Sequence, residues 1–335
     1  MLKKILFYSL FFAVTWASSY AASNEEKSLL ILNMKNEAAL PRNFRTTQDA
    51  FKIKSLALSR EGLNSLNLSG SAQFSENALG AILNHLNYPS HFFIIDLRQE
   101  YHGFLNGTAV SWYGVRDWDN VGKPLEDILR NERFLLQDCL KRRTISLNLI
   151  VKKDKTGNKL PEVKQIPFRV FNIATEREIA NRYQVHYIRI PVTDHVKPTD
   201  EAVDLFISFV RNLPKDYWLH MHCAAGVGRT TTFMAMFDMI KNAKTVGLDD
   251  ILKRQWSIGG LNFQNLSEKT SWKLPYAILR LRFLEDFYEY CRLYSGNWDK
   301  TWSLYMLEKQ GKNPDGRNCL TQEESADFLE EELVK

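Results

Sequence analysis

The stretch HMHCAAGVGRTTT, residues 220–232, sets a lone cysteine, five small uncharged residues and an arginine between two apolar runs. Upstream, YWLHMHC (217–223) is short and bulky and reads as a strand. Downstream, Phe233, Met236, Phe237 and Ile240 recur at helical spacing. A loop that closes a strand and opens a helix can turn successive backbone N–H groups inward, and the helix N-terminus adds positive potential, so the segment is built to cradle a tetrahedral anion. Ala224, Ala225, Gly226, Val227 and Gly228 leave room for close approach, and the glycines permit unusual backbone angles. The same field favours an ionised sulfur on Cys223. Arg229 supplies a planar fork for two phosphoryl oxygens, and Thr230 a hydroxyl for the sulfur.

Working outward, TDEAVDLFISFVRNLP begins with the capping residue Thr199, carries acidic residues in its first turn and places Val203, Phe206, Ile207 and Val210 on one face. The spacing predicts a helix that ends by Pro214. HFFIID (91–96) and TISLNLIV (144–151) read as strands, the second opening a small β excursion near 143–172. Helix, strand, loop and helix in this order imply an α/β layer architecture. The 335 residues are 44% hydrophobic and 25% charged, the balance of a soluble globular protein, with no internal repeat.

The N-terminus has Lys3 and Lys4, an apolar run to about Ala17 and small residues near Ala21, the pattern of a cleavable leader over residues 1–21. One large domain over 22–310 and an acidic tail over 311–335 are expected, in a secreted or periplasmic protein without stable membrane association. The formal charge of +5 is too mild to point to nucleic acid. Cys139, Cys223, Cys291 and Cys319 show no metal-ligand pairing in their spacing, and neither metal nor cofactor is called for.

The full run HCAAGVGRT resembles the signature loop of cysteine-dependent protein tyrosine phosphatases. DLRQEYHGFLNGTAVSWYGVRDWDN (96–120), RIPVTDHVKPT (189–199) and IGGLNFQNLSEKTSWKLPY (258–276) narrow the resemblance to the bacterial PTP-like phytases. It implies a protein-tyrosine-phosphatase-like fold: a central sheet flanked by helices, with a small additional β subdomain. It also implies hydrolysis of polyphosphorylated small molecules, inositol phosphates such as phytate. Cys223 is then the nucleophile, Arg229 the phosphate clamp and Asp194 the general acid and later base. Substrate contacts are expected from the loop residues 224–228 and Thr230, from His195, Lys273 and Arg280, less securely from Arg45, and from Asp96 behind them. Arg42 and Lys269 are further candidates by charge alone. Pro275 and Ala277 stand where the family often carries basic and tyrosine residues. His222 is expected to order the loop. Trp112, Tyr113 and Trp118 are expected to pack between layers, and Trp298 and Trp302 to form a core stripe on a final helix. The alternatives are a phosphotyrosine or phosphoinositide phosphatase, as in a secreted effector, and a non-catalytic anion-binding module.

Overall fold

The computed structural model describes residues 28–149, 154, 156, 164–266 and 271–311. The expected leader and all of the acidic tail except Gly311 lie outside the described residues, as do Lys269 and Cys319.

Two sheets organise the chain. In the first, the middle strand β11 (Tyr217–Cys223) lies parallel to both β4 (His91–Arg98) and β3 (Leu68–Ala72). The strand β10 (His186–Val192) runs parallel on the far side of β4, and the two-residue β2 (Arg45–Thr46) closes the other edge antiparallel to β3. Central parallel strands are covered on both faces, which is why HFFIID and YWLHMHC are nearly continuous apolar runs. Side chains alternate across the sheet. On β11, Leu219, Met221 and Cys223 join the core formed by α4 (Asp200–Arg211), α5 (Gly228–Asn242), α6 (Leu248–Ser257), α7 (Leu274–Tyr294) and α8 (Trp302–Lys309). Trp218 faces the opposite layer, where Leu79 and Ile82 of α1 (Glu76–His85) and Ile179 of α3 (Glu176–Arg182) pack with Phe92 and Ile94 of β4.

The second sheet has six strands in the order β8 (Lys164–Arg169), β7 (Thr144–Leu149), β1 (Leu29–Met34), β6 (Thr108–Tyr113), β5 (His102–Leu105) and β9 (Ile173–Ala174). Ile128, Leu136 and Cys139 of α2 (Leu125–Arg142) cover it. Within the β excursion expected near 143–172, β7 and β8 pair antiparallel at the edge of this larger sheet, and most of the residues between them lie outside the described ones. The chain reaches that sheet first through β1, whose parallel pairing to β7 is distant in sequence and left no local signal.

Local chemistry explains most boundaries. Thr199 caps α4 by accepting the N–H of Ala202, and α4 stops at Arg211, just ahead of Pro214. The helix expected from the spacing of Phe233, Met236, Phe237 and Ile240 is α5, and it buries more than that one face: it is buried on all sides except at Gly228 and Lys241, enclosed by the sheet and by α6 and α7. Trp298 and Trp302 do join the core, but not as a helical stripe: Trp298 sits in a turn at φ +54° and Trp302 is the first residue of α8.

Candidate active site

β11 ends at Cys223, and residues 224–227 turn back to start α5 at Gly228. Three successive carbonyls of this turn are tied outward. The Gln73 N–H reaches the Ala224 oxygen at 3.4 Å, the Asn43 side chain the Ala225 oxygen at 2.8 Å, and Arg45 Nη1 the Gly226 oxygen at 2.8 Å. Since C=O and N–H point in opposite directions across a trans peptide, the N–H groups of Ala225, Gly226 and Val227 are turned inward. That of Gly226 reaches Cys223 Sγ at 3.3 Å, and the Thr230 hydroxyl donates to the same sulfur at 3.3 Å. Gly226 sits at φ +71°, and a Cβ there would come within 2.2 Å of the Ala72 nitrogen. No other residue type fits this turn.

Arg229, on the first turn of α5, is buried with its fork fixed from behind. Nη1 and Nη2 donate to Glu100 Oε2 and Oε1 at 2.7 and 2.9 Å, and Nη1 also reaches the Val192 oxygen at 3.0 Å. Its Nε–H has no hydrogen-bond partner among the described residues. Burial works against the charge of this guanidinium, yet Asp194 and Glu100 outweigh it and push its pKa further up. Burial would likewise raise the pKa of Glu100, but Arg229 and Arg98 hold it at about 2. Arg98 in turn donates to Glu100 at 2.8 Å and to Gln73 at 2.7 Å.

Asp194 lies on the loop after β10 and lines the same pocket as Cys223. Its Oδ1 is 3.2 Å from Arg229 Nη2 and its Oδ2 is 3.0 Å from His195 Nε2. The loop is pinned through its backbone: the Trp118 indole donates to the Asp194 oxygen at 2.9 Å, and Arg280 Nη2 donates to the His195 oxygen.

Cys223 opens into a pocket of about 570 Å³. Its walls include Asp194, His195, Ala224, Ala225, Val227 and Gly228, with Arg42, Lys273 and Arg280 as its basic side chains. Asn33, Ser111 and Tyr113 of the second sheet form another wall, so Tyr113 faces the site instead of packing only between layers. Trp112 is buried in the second-sheet core as expected.

Two expected substrate contacts are elsewhere. Arg45 is buried behind the loop, held by the Gly226 oxygen and by Thr231 Oγ1 at 3.0 Å, and burial lowers its pKa to about 10. It shapes the cradle from outside. Asp96 is fully buried and does not line the pocket; it accepts the Tyr187 hydroxyl at 2.8 Å and lies 3.1 Å from His102 Nε2 and 3.3 Å from Arg189 Nε. Burial would lower the pKa of His102, but Asp96 raises it to about 9. Glu176, also in this network, is held at about 2 by His222 against the opposing effect of burial, and it anchors the His222 imidazole at 2.5 Å. His222 therefore orders the end of β11 from the far face of the sheet. Asp96, His102 and Glu176 could each offer a metal ligand, but Arg189 already meets Asp96 and His222 already meets Glu176.

Sequence reasoning missed Glu100 and Asn43, and it read Trp118 as packing between layers, not as a partner of the Asp194 loop. Each acts through a contact tens of residues or more away in sequence, and none belongs to a local motif.

The two-sheet α/β architecture and the cysteine-to-arginine loop at a helix N-terminus define a protein of the protein-tyrosine-phosphatase type. The family model PTP-like phytase, described by inositol hexakisphosphate, matches residues 95–241. A PTP-like phytase from Bdellovibrio bacteriovorus is similar at 34% identity and TM-score 0.65, over 84% of this chain and 95% of that one. The chain belongs to the PTP-like phytase family. A PTP-like myo-inositol phosphatase from Mitsuokella multacida, solved with myo-inositol-(1,3,4,5)-tetrakisphosphate, is similar at 34% identity and TM-score 0.79, over 88% of this chain and 50% of that one. The effector protein hopD2 of Pseudomonas syringae pv. tomato is 30% identical over 79% of this chain. The chain spans 56% of hopD2 and half of the Mitsuokella protein.

Proposed function

We propose that the chain is a cysteine-dependent phosphomonoesterase that hydrolyses inositol polyphosphates, phytate among them. The observation that carries this reading is the gathering of Cys223 Sγ, the inward N–H groups of residues 225–227 and the buttressed Arg229 in one loop, with Asp194 ion-paired to Arg229 and lining the same pocket as Cys223. The family membership and the inositol phosphate bound to the Mitsuokella relative support it.

The sulfur attacks phosphorus while the loop N–H groups and Arg229 hold the equatorial oxygens, so charge that develops there meets fixed donors. The ester P–O bond breaks, and Asp194 gives its proton to the departing alkoxide. Water then attacks the phosphocysteine, Asp194 takes its proton, and inorganic phosphate leaves with the thiolate restored. A phosphoryl group seated on Arg229 competes with Asp194 for Nη2, and weakening that ion pair favours the protonated carboxyl that a donor must be.

Further phosphates of the substrate need cations around the mouth. Arg42 and Lys273 are exposed and line the pocket, whereas Arg280 is buried and committed in part to the acid loop. Neutralising Arg42 and Lys273 together should therefore raise KM for phytate about tenfold or more, with little effect on an aryl phosphate, and the difference should shrink at high salt. Equal losses on both substrates would remove these residues from substrate recognition.

A second reading, hydrolysis of an aryl phosphate such as phosphotyrosine, is favoured by one feature. Leu261, Leu266, Leu274 and Ala277 give the pocket an apolar wall, with Ala277 at a position the family often fills with a polar group. Phosphate release from phytate, a phosphotyrosine peptide and a phosphoinositide, compared at equal concentration, separates the readings: faster release from phytate supports the first, faster release from the peptide the second. Export by a cleaved leader belongs to the same proposal, supported by the pattern of residues 3–22. It is checked by sequencing the N-terminus of protein recovered outside the cytoplasm.

A further inference from the structure

The turn at residues 115–118 is backbone-strained and meets the acid loop. Arg116 and Asp117 both adopt left-handed backbone, at φ +58° and +66°, a conformation that non-glycine residues hold only when their surroundings enforce it. The result places the Trp118 indole N–H 2.9 Å from the backbone oxygen of Asp194 itself. Two aromatic rings brace the indole, and a third braces one of them. Trp118 meets Tyr276 edge-on at 5.5 Å and Trp272 at 6.2 Å, and Trp272 meets the His195 ring at 4.9 Å. The Arg116 guanidinium lies over both indoles, at 5.0 Å from Trp118 and 4.5 Å from Trp272. Such cation–π contacts fix the planes of the rings.

Resting on the reading of Asp194 as proton donor, we propose that Trp118 is a positioning residue for that donor. Its indole N–H, locked in place by Arg116, Trp272 and Tyr276, holds the Asp194 peptide so that the carboxyl meets the leaving oxygen. The next peptide is held independently by Arg280 through the His195 oxygen. His195 itself has φ +69°, so two consecutive carbonyls must be tied to keep a loop that would otherwise relax. A proton donor displaced by even an ångström loses much of its effect.

The test uses the full chain and three phosphate monoesters: phytate and phenyl phosphate, whose leaving oxygens need a proton, and p-nitrophenyl phosphate, whose leaving group does not. Trp118→Phe keeps a ring and removes the donor. It should lower kcat about 10- to 100-fold for the first two, leave KM near the parent value, and cost about threefold or less on the third. In an Asp194→Asn background, Trp118→Phe should add no further loss on any substrate, because the group it positions is gone. Arg116→Asn, which keeps the left-handed turn, should give the same selective loss at smaller size. Equal losses on all three substrates, or a full additional loss in the Asp194→Asn background, would overturn the proposal and leave Trp118 as packing. A different failure, Asp194→Asn showing no leaving-group dependence at all, would instead remove the proton-donor role of Asp194.

Discussion

At the scale of single residues, the site depends on atoms that hold other atoms. Arg229 is useful because Glu100 grips its two terminal nitrogens while Nε remains directed elsewhere. Glu100→Gln keeps the shape but leaves one acceptor where there were two, and removes the charge that fixes the fork. kcat/KM should fall about 10- to 100-fold on every substrate because the clamp is misaligned, and the unfolding midpoint should fall as well, because buried Arg229 and Arg98 both lose a charged partner. Unchanged kinetics would show that Arg229 needs no buttress. The residues of the loop were legible from their order alone, since a cysteine, small residues and an arginine at a strand-to-helix junction have few other uses. Glu100 was not, because DLRQEYHG offers two carboxylates and no periodicity to say which one meets Arg229. Arg45 and Asp96 were misplaced for a related reason: charge in a sequence does not tell whether a residue faces a substrate or braces the groups that do.

At the scale of elements, α5 carries the site and is fixed by a buried charge. Asp238 of α5 accepts Arg254 of α6 through Nε at 2.8 Å and through Nη2, and Gln255 at 2.9 Å, while Arg254 also ties the Glu61 oxygen at 2.9 Å. Asp238→Ala leaves a guanidinium buried without its partner and should destabilise the protein by about 3–5 kcal/mol, read from urea unfolding. Asp238→Leu together with Arg254→Met should recover much of that loss, because removing both charges removes the penalty. If the single change costs less than about 1 kcal/mol, the pair is not holding α5 to α6. The helix was visible in the sequence as a 3.6-residue repeat, but its burial on all sides was not. That property comes from α6 and α7 closing over it. β1 was equally hidden, since its pairings with β6 and β7, which hold the second sheet together, join residues far apart in the chain.

At the scale of the whole molecule, the interior between β4, β5, β10 and α3 is a network of charges that ties stability to pH. Glu100 and Glu176 have pKa values held at about 2 against an ordinary 4.5, so they contribute stability that is present above pH 4.5 and lost as pH falls toward 2. His102 is raised from 6.5 to about 9, so its contribution is full below 6.5 and lost as pH rises through 9. Stability should therefore be greatest between about pH 4.5 and 6.5 and decline on both sides. His102→Gln should lower the maximum and flatten the alkaline decline, while leaving the acid decline in place. An alkaline limb identical in parent and variant would show that the charge of His102 contributes nothing to stability.

The central claim is that phosphorus is transferred to Cys223. On the proposed role of Asp194 as the later base, Asp194→Asn should slow hydrolysis of the phosphocysteine, so rapid acid quench of that variant with a fast-leaving aryl phosphate, followed by digestion and mass measurement, should find one phosphoryl group on the peptide containing Cys223. Cys223→Ser should show neither the adduct nor turnover, since its hydroxyl is far less acidic. A phosphoryl group on any other residue, or normal turnover by Cys223→Ser, would contradict the account.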